Sequence, residues 1–410
     1  MPAAAAAGGA GGGVQASAGG NPFQLATNLY CEKNNQGSLA ATSLSTSQTV
    51  GGGAINAGQY LRGIRLVVRA GSASSSVSTF ASTVTDWPWN VLTQVDMVNV
   101  DGSEILYVMG GYAHYLAQKY GRPWLGDPAL YSDAIAATNL LPQFTLFLQP
   151  EIRWTAGVLA NTDTRSSYRF DYTLDTLANI NAANGGSYNS ASAPVVTVQP
   201  YMDAWAQPDA EDLQGTPNQP VPPGLNIQFK RRHQIFTMNA SSSDNIFQSA
   251  LTGNALRNQI LVCRNGGSVR VEGITDPIQW QIDNRSMGKI SVNSGSGILG
   301  TATTTGNTGG DMVQNWMSEF YGEYFQGISA VVGAAAAVSV TTARREVGVY
   351  VFPRFLKPGA MYGQGWLYTS NSTKEIFETS TATGTTSGTM ELISDEVYPV
   401  GPVDPSLTDI

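Results

Sequence analysis

Apolar and polar positions along this chain follow two periods, and their order is stated twice. Gly58–Ala70 alternates Leu61, Ile64, Leu66 and Val68 against Arg62, Arg65 and Arg69, with one slip near Gly63. That is the pattern of a half-buried strand carrying a bulge. A second strand, Val91–Val100, runs into the turn pair Asp101-Gly102. Over Glu104–Tyr120 the period changes. Ile105, Val108, Met109, Tyr112 and Leu116 share one helical face, which predicts an amphipathic helix weakened by Gly110 and Gly111. Strand patterns resume at Gln143–Pro150, Ser167–Leu177 and Val195–Trp205, with residues 179–193 read as loop.

After a Pro-rich break, residues 206–229, the same order returns. Gln234–Met238, Gln259–Arg264, Ser268–Glu272 and Ile278–Asp283 read as strands. A polar Gly/Thr loop, residues 293–310, leads to Asp311 as a helix N-cap and to a broad apolar stripe over Met312–Phe325. Glu346–Phe355, Gly365–Ser370, Glu375–Ser380 and Met390–Tyr398 close the series. With seven or eight strand candidates per half, the expected fold is all-β, two eight-stranded jelly rolls in tandem, each with one helical excursion. The expected division is an N-terminal arm (1–22), a first jelly roll (23–205), a linker (206–229), a second jelly roll (230–399) and a C-terminal arm (400–410).

Composition sharpens this. Only 13% of the 410 residues are charged, against about a quarter in an average domain. Charge depletion suits a subunit whose surface is largely covered by neighbours, and equally a β-rich enzyme. Net charge is −8, residues 1–31 hold no charged side chain, and no basic residue follows Lys374. Direct nucleic-acid wrapping needs basic side chains against phosphates, and neither terminus supplies them. Cys31 and Cys263, one per half, form neither a disulfide framework nor a zinc spacing. The Ala/Gly-rich N-terminus lacks the basic region of a secretory signal, and Ile328–Val340 is short for a membrane span. These features fit a chain made in the cytoplasm.

Chemistry is thinly supplied. His114 and His233 are the two histidines, too few for a His-based zinc site and a poor basis for a triad. The run Lys230-Arg231-Arg232-His233 reads as a solvated strand edge or an inter-subunit salt-bridge donor. Gly295–Gly300 matches G-x-G-x-x-G, but loop sequence follows where the dinucleotide fingerprint needs a helix. Glu319 and Glu323 share the polar face of the second helix, and Asp209, Glu211 and Asp212 lie in the break. Trp87, Trp89 and Trp124 could stack sugars in a β-sandwich glycosidase, or serve as core or interface aromatics. The sequons at Asn239, Asn284 and Asn371 carry little weight without a secretion signal. No catalytic residue, cofactor or metal site is expected.

The order of elements over most of residues 23–399 resembles the double jelly-roll major capsid proteins of tailless, internal-membrane bacteriophages of the tectivirus type. Gly157-Val158-Leu159-Ala160-Asn161 followed by Arg169–Leu174 is similar to a strand–loop–strand passage of the family's first roll. Met312–Phe325 leading into Gly348-Val349-Tyr350-Val351-Phe352 and Gly365-Trp366-Leu367-Tyr368 is similar to its closing helix and strands. The resemblance implies a homotrimer of near-hexagonal outline that tiles an icosahedral virion shell, assembled in the host cytoplasm. It implies neighbouring capsomers as partners, with minor capsid, vertex and internal-membrane proteins beside them. The alternatives are another virion or cell-surface β-sandwich protein (spike, vertex or surface layer) and a carbohydrate-active β-sandwich enzyme.

Overall fold

A computed structural model describes residues 20–70, 86–122, 128, 143–152, 155–183, 194–225, 227–239, 245–250, 253–266, 269–270, 274–283, 285–290, 330–331, 337–338, 346, 348–353, 366–370, 372–381 and 388–399. The first half opens with one helical turn, α1 (Phe23–Ala26). Strands β1 (Leu29–Lys33), β2 (Leu39–Ser43), β3 (Gln48–Ala54), β4 (Tyr60–Ala70), β5 (Leu92–Val98) and β6 (Glu104–Met109) follow. Then come helix α2 (Gly111–Gly121), strands β7 (Phe144–Leu148), β8 (Leu159–Ala160) and β9 (Arg169–Leu174), helix α3 (Leu177–Ala183) and strand β10 (Val195–Trp205). One sheet runs β1-β10-β4-β7, with β2 also on β10 and β8 on β4; the facing sheet runs β3-β9-β5-β6. The connections β3 to β4, β4 to β5, β6 to β7 and β9 to β10 cross between the two sheets, and all pairs within them are antiparallel. This is jelly-roll winding.

The second half holds β11 (Ile227–Met238), β12 (Asn245–Ala250), β13 (Ala255–Arg264), β14 (Ile274–Ile282), β15 (Arg285–Ile290), β16 (Ala330–Val331), β17 (Ala337–Val338), β18 (Val349–Pro353), β19 (Leu367–Tyr368), β20 (Lys374–Thr381) and β21 (Gly388–Pro399). Its sheets, β11-β21-β13-β18 and β12-β20-β14-β15, repeat the first roll strand for strand. The expected pair of jelly rolls is therefore present. The two rolls are also joined. Strands β6 and β11 run parallel, with Arg231 opposite Leu106, so one nine-stranded sheet passes from the first roll into the second. A single apolar core continues across that junction.

The bulge expected near Gly63 is real. Opposite β10 the register shifts between Asp203, paired with Gly63, and Ala204, paired with Leu61, which leaves Arg62 as the extra residue. Gly63 is required beside it, because a Cβ there would stand 2.4 Å from the Leu148 carbonyl oxygen.

Three expectations are corrected. The helix expected over Glu104–Tyr120 begins at Gly111; Glu104–Met109 is strand β6, since a short apolar run satisfies both periods. Gly111 admits the close approach of the Trp89 carbonyl, 2.4 Å from where its Cβ would be. Nor is α2 amphipathic in place: every residue but Lys119 is buried, between β5, β7 and Trp89–Val91 on one side and β13 and β21 on the other. The expected loop 179–193 starts inside α3, where Thr176 caps the helix by accepting from the Asn179 amide at 3.3 Å. Of the expected strand Ser268–Glu272 the described residues are Val269 and Arg270: Arg270 bridges Arg264, and the Asn265 side chain and amide close a turn on Val269, while the rest of the stretch lies outside the described residues. The expected helix Met312–Phe325 and the loop 293–310 lie outside the described residues.

Candidate functional site

The chemistry of this molecule is concentrated where the rolls meet. Strand β11 sits between β21 and β6, so the basic run on it lies inside a sheet, not on a solvated edge as expected. Register sets Arg231 opposite Asp395, and the guanidinium donates to that carboxylate at 2.7 and 3.3 Å. Arg257 of β13 lies 3.8 Å from the same carboxylate and donates to the carbonyl of Gly121, the last residue of α2. Arg122 donates to the Gln149 carbonyl, and Phe229 lies beneath it and Arg231 at 5.8 and 5.3 Å. Cationic groups gathered at the end of α2 complement its dipole. Burial beside Arg231 and Arg257 makes the Arg122 cation harder to hold, yet a guanidinium keeps its charge in proteins.

A second cluster lies farther along the seam. Asp86 of the first half accepts from Arg264 and from Arg270 of the second, each at 2.6 Å. Arg264 reaches Glu391 at 2.6 Å, and Arg270 reaches Glu346 at 3.2 Å. Tyr112 of α2 lies under the Arg270 guanidinium at 4.6 Å and donates to Glu346 at 3.3 Å. Lys119 lies 3.8 Å from Glu346. Burial alone would raise the Glu391 carboxyl, but Arg264 and His233 outweigh it and hold it down at about 2. A carboxylate so firmly ionised is no general acid near neutral pH. These groups fasten two bodies together.

The histidines fall apart accordingly. His114 lies on α2, fully buried, its Nε2 3.0 Å from the Val95 carbonyl. Burial first, then the nearby Arg231 charge, push its pKa down to about 3, so the ring stays neutral. His233 lies 3.5 Å from Glu391 and belongs to the second cluster. Trp87 and Trp89 are core residues, Trp89 stacked on Tyr115 at 3.7 Å. Arg231 and Arg232 pair with Asp395 and Glu396 of the same chain. Asp212 pins a turn by accepting from the Gln214 and Thr216 amides and from Asn21 at 2.8 Å. Cys263 is buried and Cys31 exposed. Trp124, Glu319, Glu323, Gly295–Gly300, Asn284 and Asn371 lie outside the described residues. Among the described residues, no three His, Cys, Asp or Glu side chains converge as metal ligands, and no helix is long and apolar enough to cross a membrane.

One acidic pair escaped the sequence reading. Asp96 and Asp171 face each other across β5 and β9. Partial burial, then the Asp171 and Glu104 charges, raise Asp96 to about 6. Nothing local marks this pairing in the sequence; only the strand register creates it.

No protein-family model matches the chain, and no curated protein matches it. Solved structures do. The STIV major capsid protein aligns at TM-score 0.53 and 11% identity, over 90% of this chain and 96% of that chain. The atomic structure of Sulfolobus Turreted Icosahedral Virus gives 0.54 at 10% identity, over 90% of each. The PBCV-1 virus capsid gives 0.52 at 10%, over 90% of this chain and 94% of that one. At such identity the likeness is one of fold, and the fold is the double jelly roll of viral major capsid proteins.

Proposed function

We propose that this chain is a structural major capsid protein whose two rolls supply adjacent corners of a pseudo-hexagonal, homotrimeric capsomer tiling an icosahedral virion shell. The observation that carries the reading is the doubling: two matching rolls share one sheet and one core, fastened by the buried ion pairs that Asp86 of the first makes with Arg264 and Arg270 of the second. A hinge between a catalytic and a binding domain would place a cleft lined with reactive groups at that junction; here it holds paired charges. The fold-sharing capsid proteins match over 90% of the chain, which supports the same reading.

On this reading residues 206–229 join neighbouring corners, residues 1–22 and 400–410 are arms contacting other capsomers or shell components, and the protein resides in the virion after assembly in the host cytoplasm. Such a trimer falls in the obligate class, burying more than about 2,000 Å². The test is direct. The purified chain should run at three times its 43.4 kDa mass and give particles of hexagonal outline by negative-stain microscopy. A monomer with round particles refutes the proposal.

A further inference from the structure

Nine large apolar side chains are exposed among the described residues, and four of them crowd into two short stretches: Leu25 (80%), Leu29 (50%), Leu213 (100%) and Val221 (43%). Those stretches, residues 20–31 and 206–225, are woven together at the end of the first roll where β1 begins and β10 ends. Leu29 pairs in register with Trp205, and the Ala206 amide donates to the Asn28 carbonyl at 2.8 Å. Asn21 donates through its backbone to the Pro217 carbonyl at 2.9 Å and through its side chain to Asp212 at 2.8 Å. The Tyr60 hydroxyl and the Gln207 side chain both donate to the Pro220 carbonyl, one residue before Val221. Single exposed apolar residues are ordinary on a protein surface; a cluster of them marks a contact.

The cluster is held out rather than left loose. Leu213 follows Asp212 in a turn where that carboxylate accepts from the Gln214 and Thr216 amides, the Asp212 amide donates to the Thr216 carbonyl at 2.9 Å, and Gly215 takes φ +79°. Pro217, Pro220, Pro222 and Pro223 stiffen the backbone that follows. A leucine fixed in a fully exposed position loses little freedom on docking, which is what an anchor side chain needs. Around it the charge has one sign. Residues 20–31 and 206–225 contain Asp209, Glu211 and Asp212 and no Lys or Arg, and Asp209 and Glu211 are exposed. Two bases of neighbouring segments are engaged elsewhere: Arg62, 4.9 Å over the Trp205 ring, with Glu151, and Arg165 with Asp163.

We propose that this end of the first roll binds a cationic amphipathic segment of another protein. Leu25, Leu213 and Val221 meet its apolar side chains, and Asp209 and Glu211 meet its Lys and Arg. Charge decides among the occupants. Residues 1–19 carry no charge and residues 400–410 carry only Asp404 and Asp409, so neither end of this chain, from the same copy or another, complements the carboxylates. An anionic lipid surface attracts basic segments, and these two stretches offer none. The inference goes beyond the capsid reading and does not rest on it: oligomeric state tests that reading, and ligand binding tests this one.

The test uses the intact chain and a fluorescein-labelled, helical amphipathic Leu/Lys peptide, read by fluorescence anisotropy. Binding should weaken about tenfold or more in Leu213→Ser and in Leu25→Ser. It should fall with added salt and be lost in Asp209→Lys with Glu211→Lys. Ile246→Ser, exposed on β12, should change nothing, and a Leu/Glu peptide should not bind. Every substituted position is exposed, and circular dichroism verifies that the variants are folded. Leu/Lys affinity that ignores Leu213→Ser and Leu25→Ser overturns the proposal. So does flotation with phosphatidylglycerol vesicles in place of peptide binding. Peptide binding that appears only once residues 400–410 are removed makes that tail the occupant and overturns it too. Self-association that Leu213→Ser abolishes, without peptide binding, makes a second copy the occupant and does the same.

Discussion

Replacing Asp395 tests whether the buried charges beside the seam are as costly to disturb as their geometry requires. Its carboxylate, 2% exposed, accepts both bonds from Arg231 and lies 3.8 Å from Arg257, itself 1% exposed. At that separation and an effective dielectric of about 20, one unit-charge pair is worth about 4 kcal/mol before desolvation. Asp395→Asn keeps the shape and one acceptor but leaves the Arg231 guanidinium buried without its counter-charge. Breaking one side of a buried pair costs about 3–5 kcal/mol. Urea unfolding at fixed protein concentration should show that loss. Removing both partners, as Arg231→Met with Asp395→Leu, should cost less than Asp395→Leu alone, because Arg257 only, and not Arg231 as well, then lacks the Asp395 counter-charge. The solvent-exposed pair Arg165–Asp163 is the control, and Asp163→Asn should change nothing. A loss below about 1 kcal/mol for Asp395→Asn would mean that the pair behaves like a surface pair, and the rivet argument would fail.

Two further tests address the rolls themselves. Asp96, raised to about 6 by burial and by Asp171 and Glu104, lies above the ~3.9 of an unfolded aspartate, so the folded state takes up its proton first and gains stability as pH falls through 6. Asp96→Asn should therefore raise the melting temperature at pH 8 and give no gain at pH 4; a gain equal at both pH values rules out like-charge strain. Gly63→Ala would drive a Cβ to 2.4 Å from the Leu148 oxygen and 2.6 Å from the Gln149 Cα, which a backbone cannot yield cheaply; it should cost about 1–3 kcal/mol in thermal or urea unfolding. Gly51→Ala, whose Cβ meets only Asp171 at 4.0 Å, should be neutral or better, and equal losses at the two sites would refute the packing argument.

The fold was legible where burial follows a simple rule. β4, β7 and β10 bury one face and alternate in sequence, while β18 and the Ile260–Cys263 half of β13 are buried and read as short apolar runs. β1, β2 and β3 carry mostly exposed Ser, Thr, Gly and charged positions, and they are strands because β10 and β9 offer edges to pair with. Tertiary pairing overrides weak local preference there. The Glu104–Tyr120 stretch misled because its apolar spacing suits a helix until Gly110 and Gly111 divide it.

The seam was illegible for a deeper reason. Asp86 and Arg264 are 178 residues apart and Arg231 and Asp395 164 apart, so no window of sequence contains a pair. Yet the bulk composition carried a trace of it. A chain with 13% charged residues that sinks Arg122, Arg231, Arg257, Arg264 and Arg270 into one junction has placed scarce charge where desolvation is most costly. Apolar residues could fill that space with equal or better stability, but they would leave the angle between the rolls to nonspecific packing. Bidentate and shared guanidinium contacts fix direction as well as distance. A subunit that must present two corners at a set angle to its neighbours needs that fixed direction more than it needs the added stability, and replacing Asp86 and Arg270 together by apolar residues, which leaves Arg264 on Glu391, separates the two: stability should survive it better than assembly does.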